Sequence, residues 1–272
     1  MKKALLVTLL LTSNLISFAQ AVEVPNVRQV NFQPEKLLII GNSYMYYNCG
    51  INGYLGGLLK ATGKTKAKTR IATIGRGNLS QYPLEEYLDN SISASHSKNA
   101  TISNDLLEKE IKKREKYDLV LMQASNRGKA DQMRDQHYIK IHAKAIRDHG
   151  AEPALILTWT QKLKNAPEFS EVQEWVTKIG NENQMMVIPV GLAFNRVSKK
   201  YPDLKLIMPD NTHPTAIGSY LMAATIYASI YQQHPKAGIT FEGGCEKPID
   251  ENIRAILAEE AWRTVNAWFK KN

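Results

Sequence analysis

Leu37-Leu38-Ile39-Ile40 is an uncharged apolar run, with two β-branched residues, that stops at Gly41. Such a run leaves no polar face for water, so it fits a strand buried on both faces of a sheet. The pattern returns at Thr69–Ile74, Tyr117–Met122, Ala154–Thr158 and Met185–Ile188. Between these runs lie segments with apolar residues at helical spacing. Strands alternating with helices predict an α/β protein, a central parallel sheet with helices on both faces.

Helices are expected from near Tyr54, over Ser80–Asn90 with Pro83 in the first turn, and around Leu106, Leu107 and Ile111. Further helices are expected over Asp131–His149 (closed by Gly150), Ser170–Asn183, Val190–Lys200, Thr215–Tyr231 and Asp250–Lys270. Asn42–Gly53, rich in Tyr, Asn and Gly, reads as a loop. Residues 22–272 contain no repeat, low-complexity tract or domain-sized linker, so one domain is expected there. Residues 1–21 read as a signal peptide: Met1-Lys2-Lys3 is a basic start, Ala4–Leu11 an apolar run too short to span a bilayer, and Ala19-Gln20-Ala21 a cleavage site. Export to the periplasm or beyond is the expectation, with no integral membrane segment after cleavage. In an exported chain Cys49 and Cys245 are permitted to pair, and the sequence leaves open whether they meet.

The formal charge is +9, with basic clusters at Lys60–Arg70 and Lys109–Lys116. Neither cluster carries interleaved aromatics, so both read as solvated surface and no nucleic-acid partner is expected. His137, His142 and His149 share one helix without an i, i+4 pair, which argues against a metal site.

The carboxyl edge of a parallel sheet is where ligands bind, and the chemically suggestive residues fall there. Ser43 follows the first strand, Gly75 and Gly77 the second, Gln123 to Asn126 the third. Asp210 and His213 lie in the last loop before a helix. A histidine suits taking a proton from a serine hydroxyl near neutral pH. An aspartate three residues earlier can hold its tautomer and stabilise the imidazolium. Backbone N–H groups at Ser43 and at a glycine after the second strand, with a side-chain amide after the third, are the candidate oxyanion donors. Tyr44, Tyr46 and Tyr47 suit an aromatic wall beside Ser43, with at least one of them in the core. Trp159 suits either the rim or the packing.

From about Lys36 to the helix after His213 the sequence resembles the SGNH hydrolases, also called GDSL esterases and lipases. The family's Gly-Asp-Ser block stands here as Gly41-Asn42-Ser43, and its Asp-x-x-His-Pro block as Asp210-Asn211-Thr212-His213-Pro214. The resemblance implies a three-layer α/β/α flavodoxin-like fold, Ser43, Asp210 and His213 as triad, and Gly77 as the oxyanion glycine. Two blocks depart from the family. Asn42 replaces an aspartate not expected to be catalytic. The usual Gly-x-Asn-Asp is replaced by Gln123-Ala124-Ser125-Asn126, so Gln123 and Asn126 are both candidates for the third donor. Some family members active on sugar acetates carry a Gln-x-x-Ser/Asn type of block at this place, which would let Gln123 supply the amide.

These readings converge on an exported serine esterase acting on short acyl groups such as acetyl, on a small-molecule or glycan ester, without metal or organic cofactor. The rivals are a lipase, lysophospholipase or thioesterase for longer chains, and a glycan-binding protein without turnover. The polar loops, with Asn48, Asn52 and Asn78, tilt the choice away from long acyl chains.

Overall fold

The computed structural model describes residues 23–48, 50–89, 96–97, 116–161, 163–236 and 248–270. The expected signal peptide, the helix around Leu106–Ile111 and both cysteines lie outside the described residues.

The strands are β1 Lys36–Gly41, β2 Lys68–Ile74, β3 His96–Ser97, β4 Leu119–Gln123, β5 Glu152–Ile156 and β6 Met186–Ile188. All pair in parallel, in the order β3-β2-β1-β4-β5-β6. With the two-residue edge strand β3 set aside, the remaining five follow the flavodoxin-like order. The chain reverses its winding between β1 and β4. Leu38 lies level with Val120 there, and Ile40 with Met122.

Side chains alternate along each strand and so build two cores. Leu37, Ile39, Leu121 and Ile156 face one helical layer; Leu38, Ile40, Val120 and Leu155 face the other. The first layer holds α2 (Gly50–Ala61), α6 (Val190–Lys200), α7 (Ala216–Tyr231) and α8 (Glu251–Phe269). The second holds α3 (Leu84–Leu88), α4 (Lys129–Asp148) and α5 (Phe169–Glu182). β1 and β4 are covered on both faces, whereas β2 exposes Lys68 and Arg70 near the sheet edge. The expected three-layer α/β/α architecture is the observed one. Among the described residues no helix is long and apolar enough to cross a membrane.

Two segments differ from expectation. The loop expected over Asn42–Gly53 contains a helical turn, α1 (Ser43–Tyr46), and α2 begins at Gly50. The local sequence is poor in helix formers, but burial of Ile51, Tyr54, Leu55, Leu58 and Leu59 outweighs that weak preference. The helix expected over Ser80–Asn90 is divided by Pro83 into a 3-10 turn, Leu79–Gln81, and α3.

α7 packs between α2 and α8 and is apolar on every face. Thr215 caps its start, accepting the Gly218 N–H at 3.2 Å. A Cβ at Gly218 would lie 2.3 Å from the Leu206 carbonyl oxygen, on the segment that leads into the Asp210–His213 loop. Gly218→Ala should therefore destabilise the protein by about 1–3 kcal/mol through overpacking. A urea unfolding series would show this as a lowered midpoint at unchanged slope.

Candidate active site

The site starts from a close approach of strand ends. A Cβ on Gly41 would lie 2.7 Å from both Gln123 Oε1 and Met45 Cγ, so only glycine lets the Gln123 amide lie across the end of β1. The next residue, Asn42, ties three loops together. Its N–H donates to Gln123 Oε1 at 3.0 Å, its Nδ2 donates to Gly77 O at 3.3 Å, and its Oδ1 accepts from Tyr44 N–H at 3.2 Å. The last bond caps α1 and places Ser43 at the first helical position. An aspartate in place of Asn42 would have no N–H for Gly77, so the amide here does work that a carboxylate could not.

Ser43 Oγ lies 2.7 Å from His213 Nε2, and His213 Nδ1 lies 2.6 Å from Asp210 Oδ2. With Nδ1–H donating to the carboxylate, Nε2 is left as an acceptor for the serine hydroxyl. The other oxygen of Asp210 accepts the N–H groups of Thr212 at 2.9 Å and His213 at 3.0 Å. Asn211 takes a left-handed conformation (φ 59°), which closes this tight turn. Partial burial pushes the Asp210 carboxyl up, but the hydrogen bonds from His213 and Thr212 prevail, and its pKa is lowered.

Aromatic rings fix the histidine from the sides. Tyr47 stacks on the imidazole at 3.8 Å and 11°, and Tyr44 meets it edge-on at 6.1 Å. Trp159 stacks between Tyr44 and Phe194 and donates its indole N–H to Thr212 O at 3.1 Å. Of the readings open for Trp159, packing is the one observed, with a bond to the histidine loop added. Tyr44 is the core member of the tyrosine trio. Burial pushes its phenol up to about 12, and its hydroxyl faces Asn126 and Gln161 without closing a hydrogen bond.

The candidate oxyanion donors separate clearly. The Ser43 N–H has no partner among the described residues. The Gly77 N–H, expected to face the substrate, instead donates to Ile74 O at 2.8 Å inside its own turn. A Cβ there would meet Ile74 Cβ at 2.7 Å, so this glycine is required by the turn itself. Asn126, buried, donates its amide to Trp159 O at 2.7 Å. Gln123 has its oxygen held by Asn42 N–H, its NH2 group has no hydrogen-bond partner among the described residues, and it lines a cleft with Asn42 and Gly77.

Several contributors lie outside the residues singled out from the sequence. The Tyr82 hydroxyl accepts Ile74 N–H at 2.9 Å and donates to Gly41 O, joining the ends of β1 and β2. Asp135 and His142 reach the same region from α4. Among the described residues no group of three His, Cys, Asp or Glu side chains is placed to hold a metal ion.

No family model matches the sequence, and no curated protein matches it. Solved structures do share its fold. A DUF4886 family protein from Bacteroides uniformis superposes with a TM-score of 0.58 at 15% identity, over 87% of this chain and 96% of that one. An acetyl xylan esterase, AlAXEase, gives 0.53 at 15% identity, over 72% and 99% of the two chains. A candidate SGNH hydrolase from Slackia heliotrinireducens gives 0.52 at 20% identity, over 71% and 97%. The chain thus has the three-layer fold found in these proteins.

The lowered Asp210 pKa has a definite consequence for stability. Its contribution is fully present above the unfolded value of about 3.9 and is lost as pH falls through the lower folded value. Asp210→Asn should therefore be less stable than the unsubstituted protein at pH 7, and the gap should close toward pH 3. Urea unfolding at the two pH values measures it.

Proposed function

We propose that the protein is a serine esterase, with Ser43 as nucleophile, His213 as general base and acid, and Asp210 as the group that orients the imidazole. The observation that carries the reading is the unbroken chain of contacts from Ser43 Oγ to His213 Nε2 and from His213 Nδ1 to Asp210. Ser43 Oγ attacks the ester carbonyl as its proton passes to His213 Nε2. Collapse of the tetrahedral intermediate expels the alkoxide, which takes that proton and leaves as an alcohol. Water, deprotonated by His213, then releases the acid and restores Ser43.

The Ser43 N–H and the Gln123 NH2 group hold the oxyanion in this reading. Both are free to donate, whereas the N–H of Gly77 is taken by Ile74 O and one N–H of the Asn126 amide by Trp159 O. The neutral, buried Tyr44 phenol and the stacked Tyr47 ring keep the imidazole aligned through both proton transfers.

The substrate proposed is a short acyl ester, acetyl on a carbohydrate. Three observations support it: the sequence has the features of an exported chain, the cleft beside Asn42 carries Asn78, Gln123, Ser125 and Asn126 alongside the apolar Leu79 and Ala124, and one protein of the same fold is an acetyl xylan esterase. A long acyl chain would lie against these amides at a desolvation cost.

Hydrolysis of p-nitrophenyl esters from acetate to palmitate tests the whole reading. Turnover should be greatest for acetate, fall with chain length, and vanish in Ser43→Ala and His213→Ala. Gln123→Ala should lower kcat by about 10²–10³-fold, the usual effect of removing one oxyanion donor. Asn126→Ala should leave kcat far closer to that of the unsubstituted enzyme. Activity that survives Ser43→Ala would overturn the mechanism, and a preference for palmitate would move the protein to the lipase reading.

A further inference from the structure

α4 is an amphipathic helix whose buried face runs Asp135, Ile139, His142, Ala143, Ile146. Two of those positions are polar, and both reach the same residue of the turn after β2. Asp135 Oδ1 faces Leu79 N–H at 3.4 Å, and His142 Nε2 lies 2.9 Å from Leu79 O. A carbonyl only accepts, so His142 is the Nε2–H tautomer; burial lowers its pKa and favours that neutral form. The Asp135 carboxylate also faces the backbone N–H of Ser125, in the turn after β4. It is 2% exposed and lines the cleft between the two turns.

We propose that Asp135 is a positioning residue: by joining the turn after β2 to the turn after β4, its carboxylate sets the gap into which the ester carbonyl oxygen must fit. The inference rests on the serine-esterase reading. Gln123 begins the turn after β4, and Asn42 is bonded to both Gln123 and Gly77. A shift of either turn therefore moves the oxyanion donor relative to Ser43.

The charge state of Asp135 fits a residue kept for geometry rather than for stability. Burial pushes its pKa up to about 6, against the pull of the Leu79 and Ser125 N–H groups and of Arg134 and Arg127. Arg134 is itself paired with Asp131, and among the described residues no cation forms an ion pair with Asp135. The other titratable groups facing this end of α4 are His142 and Tyr82, both neutral at pH 7, Tyr82 because burial raises its pKa. A carboxyl whose folded pKa lies above its unfolded value loses stability as pH rises from about 4 to 6, and the loss is complete above that window.

The test compares Asp135→Asn with the unsubstituted enzyme on p-nitrophenyl acetate, using a fluorophosphonate to count reactive Ser43 sites. Asparagine keeps the volume but has one acceptor oxygen for two N–H donors. The expected result is a fall in kcat per reactive site of about tenfold to a hundredfold, the range for a small misplacement of reacting groups. KM should stay within about twofold, and the melting temperature at pH 8 should be equal or higher. Combined with Gln123→Ala, the loss should be much smaller than the product of the single losses, because the donor being positioned is already gone. Asp135→Glu, which keeps the charge but displaces it, should show the same kcat loss and the same coupling, and carries the test if the asparagine variant does not fold. Unchanged kcat, or losses that multiply with Gln123→Ala and follow the melting temperature, would overturn the proposal. An unsubstituted enzyme without Ser43-dependent turnover would instead overturn the esterase reading on which it stands.

Discussion

β1 and β4 lie side by side with Ile40 level with Met122, so Gly41 and Gln123 leave the sheet together at its carboxyl edge. The groups around Ser43 depend on that register. With both faces of both strands buried, the register is fixed by the packing of Leu38, Ile40, Val120 and Met122 against α3, α4 and α5, and of their alternates against the other layer. Gly41 then allows the Gln123 amide to cross the strand end, and Asn42 answers it with its N–H. A hydrophobic constraint in the centre of the sheet thus sets a polar geometry at its rim.

The histidine reaches Ser43 on a loop whose ends are held to the body of the protein. Met208 N–H bonds to His213 O at 2.8 Å, Thr215 N–H to Leu206 O at 2.9 Å, and Asn48 Nδ2 to Pro214 O at 2.6 Å. Each such bond contributes only about 0.5–1.5 kcal/mol net. Their joint effect is to remove the freedom of a loop that would otherwise sample many positions for the imidazole. In the proposed mechanism, ordering it in the folded state means that the imidazole needs no further ordering when substrate arrives. The Tyr47 stack adds to this by restricting rotation of the ring plane.

Much of this was legible in the sequence, and the missing parts share one physical cause. The strands, most helices and the Asp210–His213 spacing are local patterns, readable because neighbouring residues decide them. The bond from Gly77 N–H to Ile74 O was not legible, because a sequence shows that a glycine stands at a turn, not which carbonyl captures its N–H. Gln123 and Asn126 were indistinguishable for the same reason: direction is a property of the folded backbone, and only Trp159 O and Asn42 N–H, distant in sequence, separate them. Asp135 and His142 did leave a signal. They occupy core positions of an otherwise apolar helix face, where an unexplained polar residue marks a buried bond to another element.

The balance of charge around Ser43 gives Asn42 and Asp135 a common logic. A developing oxyanion is stabilised by donors and opposed by any nearby carboxylate. An aspartate in place of Asn42 would put a negative charge one residue from Ser43; the amide instead donates to Gly77 O and leaves that position neutral. Asp135 does place a carboxylate at the edge of the cleft, but backbone N–H groups of Leu79 and Ser125 face it, and Arg127 and Arg134 lie near enough to favour its charge. In the proposed esterase mechanism, that carboxylate organises the cleft walls while the donors at Ser43 and Gln123 meet the charge that forms during attack.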